Sequence, residues 1–489
     1  MRGARFFSWL FLGLLLGFLA GCSDARHGTA TLVELGEHTW HAEWADHGKH
    51  LVVISGLQRN PIGEKPWHWD YRLERVTIHP PATWEIAGEI KSAEHMTDAF
   101  SCGDENVVAV VEGSRETSYG IFLHNISFYR FDTRERIKRH TIYGFYNRPS
   151  SSREWFPYTY ACDVAANVMY MRWDDNKVVA LDGTSGEILR EFVKTLAPGE
   201  QGGPGFFIQP ELDRLVWLER GIGNSEVRTF RLSTGELLGA VCLTCGTQKI
   251  VSDYLVSDPN HVVGITVSLP GFCEGYTAST AIAVVNLETL EVERRFCLPD
   301  RVSGGAVVIP GEPTYLMVYV RKMPQDCWEV RTIDVGSGNE LSPYDLCTFN
   351  RSYFSPYPEV RRVLVAELAP DGGSEGYFWW MYTWPDYELV GQGRQTHNFD
   401  WWVLLPERGF FASQSHYVNS FATVDAYKGH VIDEFHFCRG VMEAALRVDP
   451  TGRWATTRCF GDWTGVRTQT DKPRGAGFAV VDLAQYEDW

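Results

Sequence analysis

The segment that decides the fold is RLSTGELLGAVCL, Arg231–Leu243. It opens on the end of a strand-like run of mixed polarity, Val227–Leu232, breaks at Ser-Thr-Gly-Glu, and resumes as an apolar run, Leu237–Leu243. Two strand-like runs joined by a short polar turn read as a β-hairpin, and Gly235 sits where a tight hairpin needs a residue that adopts positive φ. Upstream, Gly205–Gln209 and Leu215–Glu219 supply two more short runs. Together they form a unit of four strands, A to D, in which the Ser-Thr-Gly-Glu turn joins C to D.

Working outward, the turn recurs as Asp132-Thr-Arg-Glu135, Asp182-Gly-Thr-Ser-Gly-Glu187, Asn286-Leu-Glu-Thr-Leu-Glu291, Asp334-Val-Gly-Ser-Gly-Asn-Glu340, Trp384-Pro-Asp-Tyr-Glu388 and Asp425-Ala-Tyr-Lys-Gly-His430. A degenerate copy sits near His79, and Asp482 begins a last one. Long helix-period stretches are missing, so the chain reads as all-β. A repeat of about 50 residues fits the four-stranded blades of a β-propeller. These turns resemble those of YVTN-like and PQQ-like propellers, and that resemblance implies one propeller over residues 29–489. Nine units can be counted between His38 and Leu483. Eight blades with one irregular unit is the alternative. The ninth unit has A, B and C but no clear D. The N-terminal run Thr29–Leu35 is unassigned and is expected to supply that D strand and close the ring, which would bury an otherwise open edge. No Pro/Gly/Ser-rich linker divides the chain, which argues against two smaller propellers.

Before the propeller, Arg2 and Arg5 precede an apolar run from Phe6 to Leu19. That run is shorter than the roughly 20 residues needed to span a bilayer, and the arrangement is that of a secretory signal. Leu19-Ala20-Gly21-Cys22 resembles the lipobox of bacterial lipoproteins. The resemblance implies cleavage after residue 21, acylation of Cys22 (palmitate among the acyl chains), and a short tether over residues 22–28. Ser23 after the Cys resembles an outer-membrane destination more than inner-membrane retention, so the expected location is the bacterial cell envelope, with the folded domain in the periplasm or at the cell surface. Losing Arg2 and Arg5 with the leader moves the net charge from −17 to −19. So acidic a chain repels phosphate backbones, and no nucleic-acid partner is expected.

Eleven cysteines are present, and assigning Cys22 to lipid leaves ten. In an oxidising compartment an even set reads as disulfides. In the blade plan, the B–C loop and the end of D lie at the same end of a blade. Cys273 and Cys297 take those places in unit five, and Cys327 and Cys347 in unit six. Cys102 and Cys162 end A strands of neighbouring units, while Cys438 ends a D strand and Cys459 a B strand. Sequential pairing, 102–162, 242–245, 273–297, 327–347 and 438–459, satisfies this geometry, although sequence alone does not fix connectivity. The rival reading, a metal–thiolate site, has only Cys242-x-x-Cys245 and no second CxxC.

No GxSxG, HExxH, P-loop, GxGxxG or calcium-loop pattern appears, and no cofactor or metal is expected. His38, His41, His47 and His50 are close in sequence, but on a strand His38 and His41 face opposite sides, because side chains alternate. Two loops are better candidates. The B–C loop of unit one presents Lys65, Trp67, His68 and Trp69, and that of unit nine presents Asp462, Trp463, Arg467, Lys472 and Arg474. A closed ring makes them neighbours, and Trp and Arg are common interface anchors. Phe378-Trp379-Trp380 reads as strand packing instead. The expectation is a membrane-anchored propeller that binds an envelope protein or glycan as a scaffold, with no assigned catalytic residue. The alternative is a propeller polysaccharide hydrolase or lyase whose channel carboxylates sequence cannot select. The plan resembles the propeller lipoproteins of outer-membrane assembly, but the cysteines and the blade count depart from them, so their partners are not carried over.

Overall fold

The computed structural model describes residues 30–34, 38–44, 50–58, 69–79, 83–92, 96–104, 106–116, 121–145, 160–174, 176–194, 205–219, 225–244, 251–268, 279–299, 301–311, 313–322, 327–341, 343–345, 352–368, 377–395, 399–415, 420–436, 446–449, 451–459 and 477–486. Over these residues the chain forms nine four-stranded antiparallel sheets. They are the blades of one propeller. Blade one spans His38–Ser92, two Met96–Phe145, three Tyr160–Val193, four Gly205–Cys242, five Val251–Pro299, six Arg301–Asp345, seven Ser352–Gln395 and eight Phe399–His436. Blade nine takes Arg447–Val448, Trp454–Cys459 and Gly477–Asp482 as A, B and C, and its D strand is Ala30–Glu34 from the N-terminus. The two ends of the propeller interlock in register, Ala30 opposite Val481 and Glu34 opposite Gly477.

The sequence builds this ring by making the middle strands apolar on both sides. In the B strand of blade two, Val108 and Val110 pack into a cluster with Leu73 and Ile90 of blade one. Their neighbours Val107, Ala109 and Val111 pack with Met169, Met171 and Leu181 of blade three. Alternation within one continuous apolar run thus serves two interfaces at once. The buried apolar residues form nine clusters, one between each adjacent pair of blades. The cluster that closes the ring combines Val33, Phe478, Val480 and Trp454 of blade nine with Trp44, Leu51 and Val53 of blade one. Outer D strands are the exposed ones: Ile188–Val193 and Leu237–Cys242 show mostly solvent-facing residues.

In blades two to eight the C–D turn places one residue at positive φ: Arg134, Gly186, Gly235, Leu290, Gly338, Tyr387 and Gly429. A register shift accompanies most of these turns, as between Thr229 and Phe230, so the hairpin is a tight turn followed by a bulge. The leading Asp or Asn holds the turn from within. The Asp334 carboxylate accepts the backbone N–H of Gly336 (2.8 Å) and the hydroxyl of Ser337 (2.6 Å), and Asn286 accepts Glu288 N–H (2.8 Å).

The turn does more than close a hairpin. In blade after blade it rests on the D strand of the blade before. Arg190 of blade three donates to the Leu232 carbonyl in the turn of blade four (2.7 Å), and Arg294 of blade five to the Val335 carbonyl in the turn of blade six (2.9 Å). Lys138 of blade two pairs with Glu187 at 2.6 Å, Tyr344 of blade six stacks on Tyr387 at 4.3 Å, and Tyr486 of blade nine donates to Asp433 of blade eight. Between blades seven and eight the contact is backbone on backbone. A Cβ on Gly391 would lie 2.0 Å from the Gly429 carbonyl oxygen.

Candidate functional site

Antiparallel strands sort the connections onto two faces of the ring. One carries the A–B and C–D turns and is closely tied. In blades two to nine the first residue after the C strand donates its N–H to the A–B turn of the same blade, as Leu232 to Asp213 (2.9 Å), Leu287 to Asn260 (2.7 Å), Trp384 to Arg361 (3.0 Å) and Ala426 to Gly409 (2.9 Å). Ser233 adds two bonds to the Asp213 carboxylate, both at 2.6 Å. Three of the A–B turns are single 3-10 turns that begin Pro-Glu, at Pro210, Pro358 and Pro406, each followed by a positive-φ residue: Asp213, Arg361 and Gly409. This second repeat was open to reading in the sequence but is obscured by its variants, such as the Asn167 turn of blade three.

The opposite face carries the B–C and D–A connections. Both candidate loops spring from it, on adjacent blades. Residues 59–68 connect Gln58 to Trp69 in blade one, and residues 460–476 connect Cys459 to Gly477 in blade nine. Trp69 is the first residue of a C strand, in register with Gln58. Lys65, Trp67, His68, Asp462, Trp463, Arg467, Lys472 and Arg474 lie outside the described residues, as does Cys22. Trp379 and Phe378 are in strand C of blade seven, and Trp379 is buried, in line with a packing role.

The roots of this face are fixed by buried polar contacts that sequence reading missed. Lys194, at the end of blade three, pairs with Glu219, at the end of the B strand of blade four, and each side chain is only 1% exposed. Tyr254 of blade five donates to the Glu219 carbonyl at 2.7 Å. Ser225 accepts the N–H of Val251 at 3.0 Å. Three consecutive blades are thereby joined beneath the loops. A buried ion pair of this kind contributes position more than stability, because desolvation offsets its attraction. In blade two, Glu112 accepts the hydroxyls of Ser127 and Tyr129. Burial, with the Glu112 hydrogen bond, pushes the Tyr129 hydroxyl well above its ordinary range. In blade one, Glu74 accepts Ser55 at 2.6 Å, and burial raises its carboxyl. Glu112 and Glu74 are each engaged with a hydroxyl.

Cysteines bind both faces. Cys102 and Cys162 are disulfide-bonded with Cα atoms 5.7 Å apart, and join blades two and three near the turn face, as expected. Cys242, Cys297 and Cys327 are each disulfide-bonded, with partners outside the described residues. Among the described residues no group of three or more His, Cys, Asp or Glu converges as a metal site would. The alternation argument for His38 and His41 needs correction. A bulge between Thr39 and His41 puts them opposite Gly56 and Ile54, so they share a register parity. The carboxylates required by a polysaccharide-cleaving channel would come from inner strands. Asp98 and Asp253 both follow an inner-strand bulge, and their side chains lie outside the description. Among the described residues no helix is long and apolar enough to cross a membrane.

No family model matches the chain, and no curated protein matches it in sequence. Solved structures do resemble it. The Dos1 propeller has a TM-score of 0.48 at 10% identity, over 80% of this chain and 93% of that one. A europium-containing methanol dehydrogenase has a TM-score of 0.46 at 10% identity, over 79% and 92%. BamB from Moraxella catarrhalis has a TM-score of 0.40 at 11% identity, over 79% and 99%. At these identities the likeness concerns the fold alone.

Proposed function

We propose that the protein is a lipid-anchored binding or scaffold protein of the bacterial cell envelope, with the B–C and D–A loop face as its working surface. One observation carries the reading. The ring has one face of short, mutually bonded turns and another from which the longer connections leave, above roots locked by Lys194–Glu219 and by disulfides. Loops on a rigid scaffold are where recognition is commonly placed. In sequence the connections that leave this face carry Trp67 and Trp463 with Arg467 and Arg474, aromatic and guanidinium groups of the kind that anchor a protein or glycan. A lipid at Cys22 would raise the local concentration of propeller at the membrane and favour partners there.

The test has two arms. Cys22→Ser should abolish acyl labelling and release the protein into the soluble fraction; unchanged labelling refutes the anchor. Proximity labelling in intact cells, compared between the wild type and a Trp67→Ala/Trp463→Ala variant, should show a partner enriched only with the wild type. Identical profiles refute the loop face as the binding surface.

A further inference from the structure

The direction of one strand orients the molecule. Ala30–Glu34 fills the D position of blade nine and runs antiparallel to Gly477–Asp482. Its first residue, Ala30, is therefore at the end where the C strand finishes, which is the turn face. Only residues 23–29 separate Cys22 from Ala30. At about 3.4 Å per residue they reach at most about 27 Å, shorter than the roughly 30 Å of a bilayer core.

A second observation, independent of the tether, concerns the rim of the same face. Among the described residues the D strands put large apolar side chains into solvent mainly just after the C–D turn: Ile86 (46% exposed), Ile137 (37%), Leu189 (45%), Leu238 (45%), Leu389 (53%) and Val431 (46%). They come from six different blades and sit where the register shifts after the turn, as at Phe128/Tyr129 and Met381/Tyr382. At the far end of these strands Val193 is the one counterpart among the described residues. These side chains form an interrupted rim, with none among the described residues from the D strands of blades five, six or nine.

We infer that the turn face is held against the lipid surface that carries the anchor, with its apolar rim touching the interface, and that the loop face is turned away from that membrane. This rests on the proposed acylation of Cys22. It sharpens the proposed function, since a partner would be met on the side away from the anchoring bilayer.

The experiment uses strand D of blade one, Thr83–Ser92. A photoreactive benzoylphenylalanine is placed either at Ile86, near the turns, or at Lys91, roughly 17 Å along the same strand. A third probe at Val431 reports from blade eight. The acylated protein is reconstituted in phosphatidylethanolamine/phosphatidylglycerol vesicles, illuminated, and its lipid adducts are measured by mass spectrometry. Adducts at Ile86 and Val431 at least five-fold above those at Lys91 are expected. Equal or greater adduct formation at Lys91, or none at any site, overturns the orientation. The mass of the N-terminal peptide is read in the same experiment. If Cys22 carries no lipid, the anchor reading has failed by itself. The same probes in the 22–489 chain, held on nickel-chelating vesicles by an N-terminal hexahistidine, then decide whether the turn face meets the bilayer.

Discussion

Gly391 and Gly429 show what a single residue controls in this ring. The outer strand of blade seven meets the turn of blade eight with no side chain between them, and a Cβ on Gly391 would collide with the Gly429 carbonyl. Gly391→Ala should therefore push two blades apart, at a cost of about 3 kcal/mol. Gly205→Ala is the control, since a Cβ there meets nothing within 4 Å and should change stability by less than about 0.5 kcal/mol. Thermal or urea unfolding of the two variants gives the comparison; equal losses would remove the close approach as a determinant. Asp334 acts on a smaller scale. The Ser337 hydroxyl and the N–H groups of its turn outweigh partial burial and hold its carboxyl below the usual range. A depressed acid stabilises the fold above its unfolded pKa of about 3.9, and that contribution is lost as pH falls through the lower folded value. Asp334→Ala should lower Tm at neutral pH, and the gap from the wild type should narrow below about pH 4. A gap independent of pH would show that the charge plays no part.

Among the elements, the C–D turn was the most legible. Its Asp/Asn…Gly-Glu pattern is local chemistry, written wherever a hairpin needs an internal acceptor and a positive-φ residue, and it located seven blades. Its second role was not legible. That Arg190 reaches the Leu232 carbonyl, or that Tyr344 stacks on Tyr387, depends on the separation of adjacent sheets, which no single repeat encodes. The buried Lys194–Glu219 pair was hidden for the same reason, because its partners lie on different blades. The bulge at His41 was missed because one inserted residue leaves no compositional trace. Of the candidate site, sequence identified the blades that carry the two aromatic loops and the Cys102–Cys162 pairing. The cysteines extend this to a prediction. Cys242, Cys297 and Cys327 are oxidised, and peptide mapping without reduction should find 242–245, 273–297, 327–347 and 438–459. A linkage crossed between the 273–297 and 327–347 pairs would show that blades five and six are tied to each other and not each within itself.

At the scale of the whole molecule, stability is distributed over nine similar interfaces and secured by one strand. Val33 is fully buried between Phe478 and the core of blade one. Deleting residues 30–34 should lower Tm and raise hydrogen exchange at the Gly477–Asp482 amides by orders of magnitude, because that strand becomes an open edge. Val33→Asp, which keeps the backbone, should give the same pattern more weakly. Exchange unchanged in both variants would show that the ring is held closed by side-chain packing alone.

The pairing of Ala30 with Val481 also sets an order of events in time. Each of the other blades is a run of hairpins whose strands lie close together in the chain, so they can form as synthesis proceeds. The strand that closes the ring is made before all of them and must wait for the last. Joining segments about 450 residues apart, rather than 50, adds only roughly 2 kcal/mol of chain entropy, yet it delays the step until every intervening blade is in place. During that wait the molecule exposes two complementary ends. In concentrated refolding mixtures the N-terminal strand of one copy can complete blade nine of another, so strand-exchanged dimers are the expected by-product, to be read by size-exclusion chromatography of refolding at rising concentration.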